Sequence, residues 1–287
     1  MKAGLRERLA CPRCRTALSE WRAGRTRCTS CGAQYVSDGS TPVLLPPQHT
    51  APEESVAGGS GWVAARRRVG DLMAPIGVGR VYKSRRLRHH TEDFLNDLSP
   101  GAVVLNVGAG TTSYGPAVLN LEIAPGPEID VVGVGEALPF RDCSLDGVLL
   151  EAVLEHVPDA DSTLREIHRV LRPGGRVYVD VPFIQGYHAC PQDFRRFTEL
   201  GLRQALEAHG IAVSDTGVSA GPASAMSWVT GEFLTLVLSG PRGRGRRVVR
   251  PLAGLLSAPI RLLDEWLDGH PHAATIASGV WAIGVRG

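Results

Sequence analysis

Val103-Val104-Leu105-Asn106-Val107 leads directly into Gly108-Ala109-Gly110-Thr111-Thr112, and these residues decide the fold. A continuous apolar run of this length marks a strand buried on both faces, as in a parallel sheet. A glycine-rich turn at its end lets the backbone approach a ligand closely. A lone Gly-x-Gly is weak, because many turns contain one, and the neighbouring segments give it weight. Val118-Leu119-Asn120-Leu121-Glu122 reads as a second strand with an acid at its carboxyl end. A carboxylate there can accept hydrogen bonds from two ribose hydroxyls. Eleven residues separate Gly110 from Glu122, so the first crossover helix is expected to be truncated or absent.

Further strands are expected at Ile129–Val132, Leu145–Leu150 and Arg176–Val181, with a loop at Leu138-Pro139-Phe140. Val153–Leu171 reads as a helix, with apolar residues at Leu164, Ile167, Val170 and Leu171, and Arg172-Pro173-Gly174-Gly175 stops it. Ala277–Val285 reads as a closing strand. Strands alternating with helices imply an α/β chain with a doubly wound, Rossmann-like, mostly parallel sheet, and ligands beyond the carboxyl ends of the strands.

Upstream, Cys11-Pro12-Arg13-Cys14 and Cys28-Thr29-Ser30-Cys31-Gly32 form two Cys-x-x-Cys knuckles thirteen residues apart. Two such knuckles complete a tetrahedral thiolate shell, so Cys11, Cys14, Cys28 and Cys31 are expected to hold a structural Zn2+. A segment this short buries too little apolar surface to fold alone, so the ion would supply folding energy. Disulfides or a redox dithiol are the alternatives, and no thioredoxin-like βαβ pattern surrounds either pair. Cys143 and Cys190 read as ordinary buried thiols.

The 287 residues suit one large domain and a small one. Hydrophobic residues make up 43% and charged residues 21%, a balance that excludes wholesale disorder. No apolar run reaches about 18 residues, so no spanning helix is expected. Met1–Ala10 lacks an apolar core, so no secretory signal is expected and the cytoplasm is the expected location. The net charge of +2 conceals an asymmetry, because Trp62–His90 carries 8 basic residues against 1 acidic, and residues 101–215 carry 8 against 16. Internal complementarity and an acidic partner are both open readings. Only Lys2 and Lys83 are lysines among 31 basic residues, a compositional bias that lowers the functional weight of arginine clusters.

Five blocks resemble class I S-adenosyl-L-methionine (SAM) methyltransferases over roughly residues 100–215. They are Leu105-Asn106-Val107-Gly108-Ala109-Gly110, Asn120-Leu121-Glu122, Glu136-Ala137-Leu138-Pro139-Phe140 with Asp142 and Asp146, Val153-Leu154-Glu155-His156-Val157, and Arg169-Val170-Leu171-Arg172-Pro173-Gly174-Gly175. The resemblance implies that Gly108 and Gly110, with Ala109 between them, line the methionine side of SAM, and that Glu122 holds its ribose. It extends the cofactor site to Asn106, Glu136, Leu138 and Glu151. Two departures stand out. Asn106 occupies a position that is usually acidic, and Val134 stands where relatives place an Asp near the adenine.

Residues 9–45 resemble Trm112-like zinc-ribbon modules through Leu9-Ala10-Cys11-Pro12-x-Cys14, Cys28-x-x-Cys31-Gly32, Tyr35, Asp38-Gly39 and Pro42-Val43-Leu44-Leu45. Modules of that kind accompany methyltransferases as subunits or fusions. The expected organisation is a ribbon at 1–46, a linker with basic helices at 47–98 (Trp62–Arg68 and Val81–Leu98), and a methyltransferase domain at 99–287 with a helical insertion at 223–268. In that insertion, Ala225–Ser239 and Val248–Leu267 read as apolar helices flanking a basic turn. A lid or a homodimer face ranks ahead of peripheral membrane contact.

Methyl transfer is a displacement at an activated sulfonium carbon, so the protein mainly aligns the reactants and removes a proton where needed. Candidates follow the two central strands. His156 is one, with a core or capping role as its alternative. Some small-RNA and quinone O-methyltransferases bind a divalent ion with Glu-x-x-Glu-His here, but Ala152 takes the first Glu position and Glu151 sits one residue early, so no second metal is expected. His188 is the candidate general base, as histidine ordinarily titrates near ~6.5. Asp193 orients His188 or pairs with Arg196. The segment resembles the H-x-x-P-x-D-F-x-R-F-T stretch of methyltransferases found with glycan and natural-product pathways. In a second reading Asp193, Arg196 and Thr198 fix the loop and cap the next helix. The resulting expectation is a SAM-dependent methyltransferase acting, with oxygen the favoured atom, on a small-molecule or glycan-type acceptor. An RNA methyltransferase and a non-catalytic partner module that has lost SAM are the alternatives. The acidic catalytic half and the lack of an aromatic-plus-basic platform place nucleic acid second.

Overall fold

A computed structural model describes residues 2, 4–47, 49, 83–85, 87, 89–189 and 192–287. Most of the expected linker, the Trp62–Arg68 helix and Cys190 lie outside the described residues. In chain order the elements are α1 (Leu5–Arg8), β1 (Arg25–Arg27), β2 (Gln34–Asp38), β3 (Thr41–Val43), α2 (His90–Asn96), β4 (Val104–Val107), β5 (Val118–Glu122), β6 (Val131–Val132) and β7 (Leu145–Glu151). They continue with α3 (Ala160–Val170), β8 (Leu171–Pro182), α4 (Glu199–Glu207), β9 (Ile211–Ala220), α5 (Pro222–Ser239), α6 (Arg246–Ser257), α7 (Asp264–Leu267) and β10 (Gly279–Arg286).

The strands form one sheet in the order β1-β2-β3-β6-β5-β4-β7-β8-β10-β9. Pairing is parallel from β3 to β8 and antiparallel at both ends. β4 is buried at all four positions because it pairs with β5 on one side and β7 on the other, with packed residues on both faces. Leu105, Val107, Val148, Leu150, Val177 and Val179 point to one face, where Leu164, Ile167 and Val170 of α3 and Leu202 and Leu206 of α4 cover them. Val104, Leu149, Tyr178 and Trp281 point to the other, against Phe94 of α2. This alternation puts the sheet between two apolar layers.

The cysteine-bearing segment is joined to this sheet. β3 pairs with β6 through Val43 and Val132, Leu9 bridges Phe140, and Leu5, Leu9 and Leu44 share a core with Leu105 and Phe140.

Several expectations need correction. The helix expected over Val153–Leu171 begins at Ala160, because Asp159 follows Pro158 and its carboxylate accepts the Ser162 amide at 2.9 Å as an N-cap. Residues 153–157 are instead a turn that carries Glu155 and His156. Among the described residues of the expected Val81–Leu98 helix, the helical ones are His90–Asn96. The second apolar stretch of the insertion breaks at Ser257 into a 3-10 helix, Ala258–Leu263, whose second residue is Pro259. Cys143 is exposed, not buried, and accepts from the Arg286 guanidinium at 3.1 Å. No helix forms between β4 and β5, as the short spacing predicts. Among the described residues, no helix is long and apolar enough to cross a membrane. α5, α6 and α7 nevertheless leave Phe233, Leu236, Leu256 and Trp266 exposed.

Candidate functional site

The turn after β4 lies at the carboxyl ends of the parallel strands. Gly108 has φ +66 and Gly110 φ +55, both left-handed. A Cβ at Gly108 would sit 2.6 Å from Cγ2 of Val153, so the turn is pressed against the segment that follows β7. A Cβ at Gly110 would meet nothing within 4 Å, so that residue faces outward. Ala109 is buried and its amide donates to Leu121 O at 3.1 Å. The Glu122 carboxylate accepts from the Gly110 amide and from its neighbour Ile123, each at 2.8 Å. Exposed glycine backbone beside a carboxylate with lone pairs to spare fits an adenosyl cofactor with vicinal ribose hydroxyls.

Asn106 is buried in β4, and its amide donates to Asn120 Oδ1 at 3.2 Å. Glu136 is half-buried in the turn where Val134 bridges Ala137, and Leu138 is buried in the core. Glu151 ends β7, where it accepts from Thr91 at 2.7 Å and from the Tyr114 hydroxyl. Lys83 bonds Asp180 at 2.8 Å and stands 4.0 Å from Glu151. Burial, then the Glu151 charge, pushes the Tyr114 phenol well above its ordinary range. Sequence reading misses Lys83, Thr91, Tyr114 and Asp180 as partners, because nothing in their spacing links them.

The segment after β8 folds back over the turn after β7. His156 Nδ1 lies 2.6 Å from Gln192 O, and Phe194 N donates to Glu155 O at 2.7 Å. His188 Nδ1 lies 3.0 Å from Gly186 O. The His156 and His188 rings meet edge to face with centroids 5.2 Å apart, and Trp228 of α5 stands 5.6 Å from the His188 ring. Trp228 sits in a stretch read only as an apolar helix. The structure thus brings His156, His188, Asp193 and Arg196 into one group.

Asp193 and Arg196 form a two-pronged pair, in which Arg196 Nη2 bonds Asp193 Oδ2 at 2.7 Å and Nη1 bonds Oδ1. Arg196 also donates to Gln185 O and Gly186 O, while Asp193 accepts the His188 amide at 2.8 Å. Both side chains are spent on the loop that carries His188. Thr198 caps α4 through the Gly201 amide. The Arg196 bonds hold the Asp193 carboxyl well below the usual carboxylate range. Glu155 is fully buried, and burial pushes its carboxyl up to about 7. Burial, followed by the neighbouring His188, lowers His156.

At the sheet's other margin, the four cysteine sulfurs lie within 4.8 Å of one another, with Cys11–Cys31 at 3.7 Å and Cys14–Cys28 at 3.3 Å. A tetrahedral Zn2+ with Zn–S of about 2.3 Å needs sulfurs roughly 3.7 Å apart, so the four cysteines fit the ion. The amides of Ser30 and Cys31 point at Cys28 Sγ, and the Tyr35 hydroxyl lies 3.1 Å from Cys11 Sγ. Such contacts orient thiolate ligands.

Residues 77–179 match the family described as "Methyltransferase domain". Over those residues, well under half of its length, the chain is similar to methyltransferase domains. The ubiquinone/menaquinone biosynthesis C-methyltransferase UbiE of Hahella chejuensis is 42% identical over 92 residues, covering 31% of this chain and 36% of that protein. The demethylmenaquinone methyltransferase of Corynebacterium glutamicum strain R is 36% identical over 103 residues, covering 29% of this chain and 43% of that protein. The chain spans less than half the length of these curated relatives. Among solved structures, the Burkholderia thailandensis 1,6-didemethyltoxoflavin-N1-methyltransferase is 17% identical with a TM-score of 0.44, covering 94% of this chain and 98% of that one. The matched residues include the β4 turn, Glu122 and Glu155–His156, and the His188 loop follows them.

Proposed function

We propose that the chain is a SAM-dependent methyltransferase of a small-molecule acceptor, with oxygen the favoured atom. The single observation that carries this reading is the Gly108–Gly110 turn tied to the Glu122 carboxylate inside a matched methyltransferase domain. SAM, when bound, supplies a methyl group already activated on a sulfonium. Gly108 and Gly110 offer backbone to it, and Glu122 accepts from its ribose hydroxyls. His188 and His156 stand where a proton on an acceptor hydroxyl is taken up, and Trp228 covers that side from α5. Asp193 and Arg196 act as positioning residues that hold the His188 loop. The quinone pathways named for the relatives make a ring hydroxyl or ring carbon a class of acceptor to test first.

The four cysteines hold a structural Zn2+ in the same proposal, and reduced thiolate ligands suit a cytoplasmic location. The division into a ribbon at 1–46, a connector at 47–98 and a methyltransferase domain at 99–287 with the insertion at 223–268 belongs to it as well.

Calorimetry with SAM and S-adenosylhomocysteine on zinc-replete protein tests the reading. Micromolar binding lost in Glu122→Ala supports it, and no binding at millimolar ligand leaves a partner module without cofactor. Nucleic-acid retention across a salt series separates the RNA alternative, which requires a steep loss of binding with salt.

A further inference from the structure

We propose that Glu155, His156 and His188 form a second metal site, separate from the cysteine cluster, that takes a divalent cation of the Zn2+ or Mn2+ class. One ligand atom from each lies within 4.8 Å of the others. His156 Nε2 is 3.7 Å and His188 Nε2 3.9 Å from the same Glu155 oxygen, Oε1. Those separations are too long for hydrogen bonds. Ligands held about 2.0–2.2 Å from one ion stand roughly 3–4 Å apart, and both Glu155–histidine separations fall in that range.

Proton placement argues for the cation independently. The Nδ1 atoms of His156 and His188 each face a backbone carbonyl, Gln192 O at 2.6 Å and Gly186 O at 3.0 Å. A carbonyl only accepts, so both Nδ1 atoms carry the proton and both Nε2 atoms present lone pairs. Arg196 Nη2 also lies 3.3 Å from His188 Nδ1, but its two hydrogens suffice only for the shorter bonds to Gly186 O at 2.9 Å and Asp193 Oδ2 at 2.7 Å. Glu155 is fully buried, and neither of its carboxylate oxygens has a hydrogen-bond partner among the described residues. Two imidazole lone pairs and a buried carboxylate thus converge with no donor between them. Arg196 is engaged by Asp193 and does not bond Glu155. A cation is the group that such a set accepts, and the backbone bonds to the far ring nitrogens are the outer partners that metal-bound histidines use.

The first-Glu position that sequence comparison makes vacant at Ala152 is therefore not needed. The third ligand comes from the loop after β8, 32 residues beyond His156. A carboxylate and two imidazoles suit Zn2+, Mn2+ or a similar ion and leave positions for an outside oxygen. Val153, against Gly108, lies two residues from Glu155, so the site adjoins the glycine turn. With the ion bound, both Nε2 lone pairs are taken, so the ion in place of the imidazoles would favour loss of the proton from an acceptor oxygen beside the methyl donor. That last step rests on the methyltransferase reading, whereas metal binding does not.

The test uses full-length protein whose four cysteines already carry one Zn2+. Mn2+ is titrated and followed by the paramagnetic resonance of the free ion, and Zn2+ is titrated by calorimetry. The expected result is one further saturable equivalent of at least one ion. His156→Ala, His188→Ala and Glu155→Gln each weaken it about 100-fold, while thermal melting and S-adenosylhomocysteine affinity keep His188→Ala comparable with wild type. Should that variant misfold, His188→Asn serves in its place. No uptake of either ion beyond the cysteine-bound equivalent at millimolar concentration overturns the proposal, as does unchanged affinity in the histidine variants. In the wild-type protein, absent metal uptake with intact S-adenosylhomocysteine binding overturns this site alone. Metal uptake without cofactor binding overturns the methyltransferase reading and leaves the site standing.

Discussion

The Glu122 carboxylate accepts the Gly110 amide hydrogen at 2.8 Å, tying the end of β5 to the turn after β4. That side chain therefore shapes the glycine turn, and in the proposed function its remaining lone pairs also accept from the cofactor's ribose. Hydrogen bonds to a charged group are each worth about 1.5–3 kcal/mol. Glu122→Ala is expected to lower S-adenosylhomocysteine affinity about 10- to 100-fold in calorimetry, with Glu122→Gln intermediate. Equal affinity in all three proteins would remove Glu122 from the cofactor site.

Gly108 and Gly110 share a left-handed backbone but differ in surroundings. Alanine at either position pays the φ penalty of about 1–2 kcal/mol. Only at position 108 does the new Cβ also fall 2.6 Å from Val153. Melting temperature should fall in the order wild type, Gly110→Ala, Gly108→Ala. Val153→Ala in the Gly108→Ala background should recover part of the loss, with a coupling of about 0.5–3 kcal/mol. An additive double mutant would show that the contact carries no strain.

The parallel heart of the sheet is legible in the sequence because burial on both faces leaves unbroken apolar runs such as Val103–Val107 and Leu145–Leu150. β9 is not, since its residues mix exposed and buried positions at the edge of the sheet, where only β10 pairs with it. The start of α3 is misread because Val153, Leu154 and Val157 continue helical spacing, whereas Pro158 and the Asp159 cap decide the boundary. The four cysteines stand out because their ligand spacing is local. The Glu155–His156–His188 cluster does not, because the crossover through α3 and β8, not spacing, brings His188 back to His156. The pairing of Val43 with Val132 is equally non-local.

Removing zinc should be felt well beyond the cysteines. Cys11, Cys28 and Tyr35 belong to the same buried cluster as Leu105, Phe140 and Leu150. Chelation, or Cys28→Ser, is expected to lower the melting temperature of the whole chain by at least about 5 °C in a single transition, a shift that roughly 2 kcal/mol produces at this size. Differential scanning calorimetry decides the point. Two separated transitions, the later one unmoved, would show that the cysteine segment unfolds on its own.

The pair of Asp193 and Arg196 should control the His188 loop more than it controls chemistry directly. Asp193→Ala leaves the Arg196 fork without its carboxylate and the His188 amide without its acceptor. A loss of about 1–3 kcal/mol is expected from these orphaned groups. Proteolytic nicking should increase within 183–197. Arg196→Lys should reproduce much of the loss, since a single ammonium cannot replace a planar fork that reaches Asp193, Gln185 and Gly186 together. Unchanged nicking in both variants would count against a positioning role.

Asp264 gives a separate test of how the helical insertion is anchored. It is fully buried and accepts from the Ala223 amide at 2.7 Å, the Ser224 amide at 2.8 Å and the Ser224 hydroxyl at 2.6 Å. These amides belong to the first turn of α5, whose own N-cap residue, Gly221, has no side chain to satisfy them. The negative charge also complements the positive end of the helix. Asp264→Ala removes the acceptor of two buried amides and should cost about 2–4 kcal/mol in chemical denaturation. Asp264→Asn keeps an acceptor oxygen but loses the charge, and should cost less. Because α5 carries Trp228 against His188, hydrogen exchange in 222–232 should rise in parallel with loosening of the His188 loop. If α5 frays while residues 183–189 remain protected, the insertion is not what holds that loop in place.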